Sequence, residues 1–162
     1  RHYGLRVFAF DPTPEVAIWI AGRKLPEQFQ LQPYGLADHD GEALFSPNTN
    51  PREVSHTLLT RSETADRAVR LPVRRLPTLA RANGHRRIDL LKLDVEGAEY
   101  AALRDLLAAN LQVQQILVEF HHRFRGIGRG PTIEAIRSLN AHEYGVFHIS
   151  ASGREYGFLR HA

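Results

Sequence analysis

The chain has 162 residues, of which 43% are hydrophobic and 24% charged, a balance that suits one domain with a real core. The absence of cysteine excludes disulfides, zinc knuckles and thiol nucleophiles and fits a cytoplasmic protein; no apolar run is long enough for a membrane helix, and no signal peptide stands at the start. The net charge of +3 rests on arginines scattered among acids without an aromatic ladder, which describes a solvated surface and not a nucleic-acid groove, although the arginines after residue 121 suit an anionic substrate.

Residues 5–10 (LRVFAF) are apolar and rich in strand formers, and they stop at Asp11-Pro12. Thr13-Pro14-Glu15 predicts a helix start, with Thr13 as N-cap, Pro14 at the first helical position and an acid in the first turn. Val16, Ile18, Trp19 and Ile20 supply the apolar face of that helix, and Gly22 ends it. Residues 29–37 predict a second strand, irregular or at an edge because of Pro33, and residues 38–41 a turn into a return strand over 42–45. Residues 46–64 are polar and turn-rich and predict a long surface loop. A short strand follows over 68–73, then a brief helix over 76–82 closed by Asn83-Gly84.

Residues 88–93 (IDLLKL) predict a strand buried on both faces, as in a parallel sheet. It ends at Asp94-Val95-Glu96-Gly97-Ala98-Glu99, and residues 100–109 have a helical composition closed by Asn110. Residues 113–120 form another strongly apolar strand, ending in Glu119-Phe120-His121-His122. A loop rich in glycine and arginine over 123–131 precedes a helix over 132–140, and two last strands near 144–149 and 155–159 predict a hairpin. The alternation of strands and helices predicts an α/β domain with a mainly parallel sheet and a C-terminal antiparallel hairpin.

In open α/β sheets, ligands bind beyond the carboxyl ends of the strands. Three strands here end in acids at that rim: Asp11, Asp94 with Glu96, and Glu119 with His121. One such acid is commonly a helix cap; three together favour a site. The acid after residue 10 suits ribose hydroxyls, since the two oxygens of a carboxylate match two vicinal hydroxyls. Such an acid follows a glycine-rich loop by about 20 residues, a count that runs past Arg1, so that loop and its strand are expected upstream. Gly126-Ile127-Gly128-Arg129-Gly130-Pro131 does not replace it, because Pro131 would stand at the third glycine; a mobile lid or a plain linker is expected there. Glu96 and Glu99, three apart near a helix start, suit the helix dipole.

Residues 88–99 (IDLLKLDVEGAE) closely resemble the signature of the FkbM-type methyltransferase family. Residues 7–12 (VFAFDP), 33–38 (PYGLAD) and 116–121 (ILVEFH) resemble that family's second, third and fifth strands, so the resemblance runs over most of the chain. It implies a Rossmann-like methyltransferase domain over residues 1–162, N-terminally incomplete, with a gap between the strands ending at Asp11 and Asp94. It also implies methyl transfer from S-adenosylmethionine, usually to a hydroxyl oxygen of a carbohydrate or small metabolite. Asp11, Pro12, Gly35, Leu36, Asp94, Val95 and Glu96 are the expected cofactor-binding residues, and His121, Glu119 and Asp94 the expected catalytic ones. His121 is either a base of near-neutral pKa or a rim histidine satisfied by a backbone carbonyl, and His122 points the other way. Asp94, Glu119 and His121 would also suit magnesium or manganese, but nothing in their spacing requires a metal and none is expected. The competing readings are a non-catalytic α/β binding or assembly module and a dinucleotide or nucleotide-sugar enzyme. A sheet with an exposed gap would also invite two copies to pair.

Overall fold

A computed structural model describes residues 4–47, 56–58 and 66–161. Strand β1 (Val7–Phe10) leads to Asp11, and helix α1 (Pro14–Ala21) begins on the expected proline. Thr13 is the N-cap, but its hydroxyl makes no cap bond; its N–H instead donates to Asp11 Oδ1 at 2.8 Å, so the aspartate shapes this turn. Strand β2 (Phe29–Gln32) runs parallel to β1. The single strand expected over 29–37 is broken at Pro33, which has no N–H for a ladder, and β3 (Gly35–Leu36) joins another sheet.

That second sheet contains β4 (Gly41–Pro47), β5 (His56–Thr57) and β6 (Val69–Arg74) in the order β3-β6-β4-β5. The turn over 38–41 therefore does not close the expected hairpin. Strand β6 inserts between the two arms, parallel to β3 and antiparallel to β4. The reason is apolar: Leu71 and Val73 of β6 pack with Ala37 and Phe45, a cluster that a bare hairpin would leave open to water. Of the loop expected over 46–64, Ser46 and Pro47 end β4 and residues 56–58 carry β5; the remainder lies outside the described residues.

Close packing explains Gly35. A methyl group there would stand 2.7 Å from Phe45 Cζ and within 3.3 Å of Pro12 Cγ and Val73 Cγ1. Gly35→Ala is expected to lower stability by about 1–3 kcal/mol through overpacking, read as a shift in the midpoint of thermal unfolding; an unchanged midpoint would mean that this contact is loose.

The third sheet holds β7 (Arg87–Leu93), β8 (Gln112–Glu119), β9 (Tyr144–Ile149) and β10 (Glu155–Arg160) in the order β7-β8-β10-β9. Helix α2 (Leu76–Ala82) precedes β7 and ends at Asn83 and Gly84 as expected. Helix α3 (Glu99–Ala108) joins β7 to β8, and Asn110, in the left-handed region at φ 49°, closes it. Helix α4 (Gly130–Ala141) starts two residues before the expected position, with Pro131 in its first turn. The C-terminal hairpin forms as expected, its turn fastened by Ser152 Oγ, which donates to Glu155 Oε2 at 2.6 Å.

Two neighbouring cross-strand rows define the faces of this sheet. Leu91, Ile116 and Phe158 pack with Leu103, Leu106 and Leu139 of α3 and α4 in the main core. Leu90, Gln115 and Leu159 form the adjacent row and face the opposite way, and Leu90 is 50% exposed. Strand β7 is thus covered on one face and not on two, because α3 and α4 lie side by side on the same face.

The sheets are mixed, which corrects the mainly parallel Rossmann-like sheet expected from the sequence. Pairings β1–β2, β3–β6 and β7–β8 are parallel, whereas β4–β5, β4–β6, β8–β10 and β9–β10 are antiparallel. The gap expected between the strands ending at Asp11 and Asp94 is present. β1 pairs only with β2 and β7 only with β8, and no ladder joins the two sheets among the described residues. The first sheet instead meets the segment between α2 and β7: the Phe8 and His85 rings are 4.4 Å apart, and Gln32 Nε2 donates to Asn83 Oδ1 at 2.6 Å. The apolar face expected to bury α1 is not buried: no residue of the helix is buried. Trp19 is 57% exposed and lies beneath the Arg23 guanidinium, 3.4 Å from the ring centre. No helix among the described residues is long and apolar enough to cross a membrane.

Candidate active site

Strands β7 and β8 are parallel with Leu93 opposite Val118, so their carboxyl ends place Asp94 and Glu119 side by side. Beyond Asp94 the chain must reverse sharply into α3. Glu96 at φ 52° and Gly97 at φ 102° make that reversal, two consecutive residues in the left-handed region. Glycine adopts this conformation freely, whereas a glutamate there carries about 1–3 kcal/mol of strain. The buried Thr57 hydroxyl holds the turn by donating to the Glu96 carbonyl.

The group that organises the site is Glu99, whose exposure is 0%. Its Oε2 accepts the Gly97 N–H at 2.9 Å and its Oε1 the His121 N–H at 2.8 Å. One buried carboxylate thereby ties the β7–α3 turn to the end of β8. The role expected for it, an acid complementing a helix dipole, misses this. A signal was nevertheless present: Glu99, Leu103 and Leu106 recur at spacings of four and three, so the glutamate lies on the core face of α3.

His121 is 8% exposed, with its ring 4.7 Å from that of Phe124. Its Nδ1 stands 3.4 Å from Glu99 Oε1, and its Nε2 stands 3.9 Å from both Asp94 Oδ1 and Glu96 Oε2. Burial alone would depress its pKa, but Glu99, then Glu96 and Glu119, outweigh that and raise it. His122 experiences the opposite field: burial, then Arg123, Arg129 and Arg154, push its pKa down. The two histidines therefore stand in different electrostatic surroundings. Tyr100, whose hydroxyl meets Thr132 Oγ1 at 3.0 Å, is pushed up to about 12 by burial and is no base near neutrality.

Asp94, Glu119 and His121 thus converge, with ligand atoms all within 4.8 Å of one another. Lys92 Nζ engages Asp94 Oδ2 at 3.2 Å, and Arg154 approaches Glu119 Oε1 at 3.7 Å. Val95 lies in the turn beside them, its carbonyl accepting the Ala98 N–H at 3.1 Å. Asp11 is not part of this cluster. Pro12 packs against Gly35, and Leu36 packs against the main core. Gly126 and Gly128 have positive φ with open space around them, so they serve a turn and not a close approach of the backbone.

The family model described as the methyltransferase FkbM domain matches residues 1–158. The chain belongs to this family. No curated protein and no solved structure gives a significant match. The family is one of methyltransferases, and the FkbM domain here carries its acid-rich rim at the junction of β7 and β8.

Proposed function

We propose that this FkbM domain transfers a methyl group from S-adenosylmethionine to a hydroxyl oxygen of a carbohydrate or small metabolite. The convergence of Asp94, Glu119 and His121 at the carboxyl ends of two adjacent parallel strands carries the reading. The residues fit the donor. Asp11 commits Oδ1 to the Thr13 N–H and keeps its other oxygen for a ribose hydroxyl at the end of β1. Pro12 against Gly35 forms a wall beside it, with Leu36 following, and Val95 and Glu96 lie in the turn next to Asp94.

S-adenosylmethionine brings its methyl group already activated on a sulfonium. The chain must then align the acceptor and assist loss of its proton. Asp94 and Glu119 orient the acceptor hydroxyl, and the rim groups around His121 take up the proton it loses. Calorimetric titration with S-adenosylhomocysteine tests the donor side. The wild type is expected to bind it, and Asp11→Ala to bind roughly 10- to 100-fold more weakly, the worth of one hydrogen bond to a charged group. Binding of neither S-adenosylmethionine nor S-adenosylhomocysteine would sink the proposal and leave the non-catalytic binding module.

A further inference from the structure

We infer that Asp94, Glu119 and His121 form a binding site for one divalent cation of the manganese type. Two features carry this beyond a group of acids. First, His121 is more than nine-tenths buried, and its Nδ1 has no hydrogen-bond partner among the described residues. Its Nε2 is 3.9 Å from Asp94 Oδ1 and 3.9 Å from Glu96 Oε2. That is too long for hydrogen bonds, which end near about 3.2 Å. It suits ligands that share one ion, each roughly 2.0–2.2 Å from the centre. Second, Glu99 Oε1 stands 3.4 Å from Nδ1, on the other side of the ring. A carboxylate behind the imidazole stands where metal-ligating histidines characteristically have their support, and a closure of a few tenths of an ångström would let Nδ1–H donate to it.

The donor set narrows the ion. One imidazole nitrogen with carboxylate oxygens fits a borderline divalent ion such as manganese better than calcium or magnesium, which prefer oxygen alone. Lys92 and Arg154 each approach one oxygen of Asp94 and Glu119 respectively, which leaves the other oxygen of each carboxylate for the ion. Asp94 is the more exposed side of the cluster and opens it to solvent, where further coordination positions would face an acceptor. What the ion does there rests on the proposed methyl transfer: it would coordinate the acceptor hydroxyl and lower its pKa, so that the proton departs to a neighbouring carboxylate or to solvent as the methyl group moves.

The probe is Mn2+ itself, titrated into the full chain and followed by loss of the free-ion electron paramagnetic signal. One bound ion per chain is expected, weakened roughly 10-fold or more by Asp94→Asn and by His121→Ala. Asp94→Asn, at a partly exposed position, guards against a folding defect in the buried-histidine variant. No binding by the wild type, or equal binding by a folded Asp94→Asn variant, would overturn the site. Titration of S-adenosylhomocysteine into the same sample separates the two readings: Mn2+ binding without it leaves the metal site standing and the methyl-donor reading fallen, and the converse holds equally.

Discussion

Glu99→Ala is expected to lower the stability of the domain by about 3–5 kcal/mol, the cost of two backbone donors left without an acceptor together with the void the side chain leaves. Two backbone donors, the part-buried Gly97 N–H and the buried His121 N–H, would lose the carboxylate that accepts them. Each buried donor left without a partner costs about 1–3 kcal/mol, and the void left by the side chain adds to that. Glu99→Gln sharpens the test because it conserves volume. The amide offers one acceptor oxygen where two N–H groups need one each, and it turns an NH2 towards the other. A loss of about 1.5–3 kcal/mol is expected for it. For a domain of this length each kcal/mol moves the thermal midpoint by roughly 2–4 °C. A merely dipolar role would leave Glu99→Gln within about 1 kcal/mol of the wild type, since charge at a helix start contributes only about 0.3–1 kcal/mol. Scanning calorimetry distinguishes the two outcomes. Glu99 is a positioning residue: when it is removed, the β7–α3 turn and the end of β8 lose their common anchor, and the cluster of Asp94, Glu119 and His121 loses its geometry.

The elements that carry local chemistry were legible in the sequence. Pro14 marked the start of α1, Asn83-Gly84 the end of α2, Asn110 the end of α3, and the apolar runs of β7 and β8 stood out between turn residues. The rim acids were legible too, because an acid directly after an apolar strand can be placed without knowing how strands pair. Strand order was not legible. The insertion of β6 between β3 and β4 depends on Leu71 and Val73 finding Ala37 and Phe45, contacts made across about 30 residues that no local pattern encodes. The one-sided burial of β7 was hidden for the same reason: the run from Ile88 to Leu93 is equally apolar whether helices cover one face or two. Spacing also gave no hint that the Glu99 carboxylate and the backbone N–H of His121, 22 residues apart, would meet.

His121→Ala is expected to slow methyl transfer by roughly 100-fold or more, the contribution of a well-placed proton-handling group, while leaving affinity for S-adenosylhomocysteine unchanged. The split follows from where its atoms stand. The backbone N–H of residue 121 that fastens Glu99 survives the substitution, so the tie between the two strand ends persists. What disappears is the imidazole between Glu99 on one side and Asp94 with Glu96 on the other. Asp11, which serves the donor in the proposed site, lies outside this cluster and keeps its bond to Thr13. Turnover is measured with methyl-labelled S-adenosylmethionine and a panel of hydroxyl-bearing sugars, alongside thermal unfolding of the same variant. Wild-type turnover by a folded His121→Ala protein would remove His121 from the chemistry. A loss of donor affinity equal to the loss of turnover would move it into the donor site. Added Mn2+ then divides the remaining roles: turnover in the wild type that rises with the ion, and does not rise in the variant, assigns the imidazole to holding the cation, whereas turnover indifferent to Mn2+ in both assigns it to taking the proton directly.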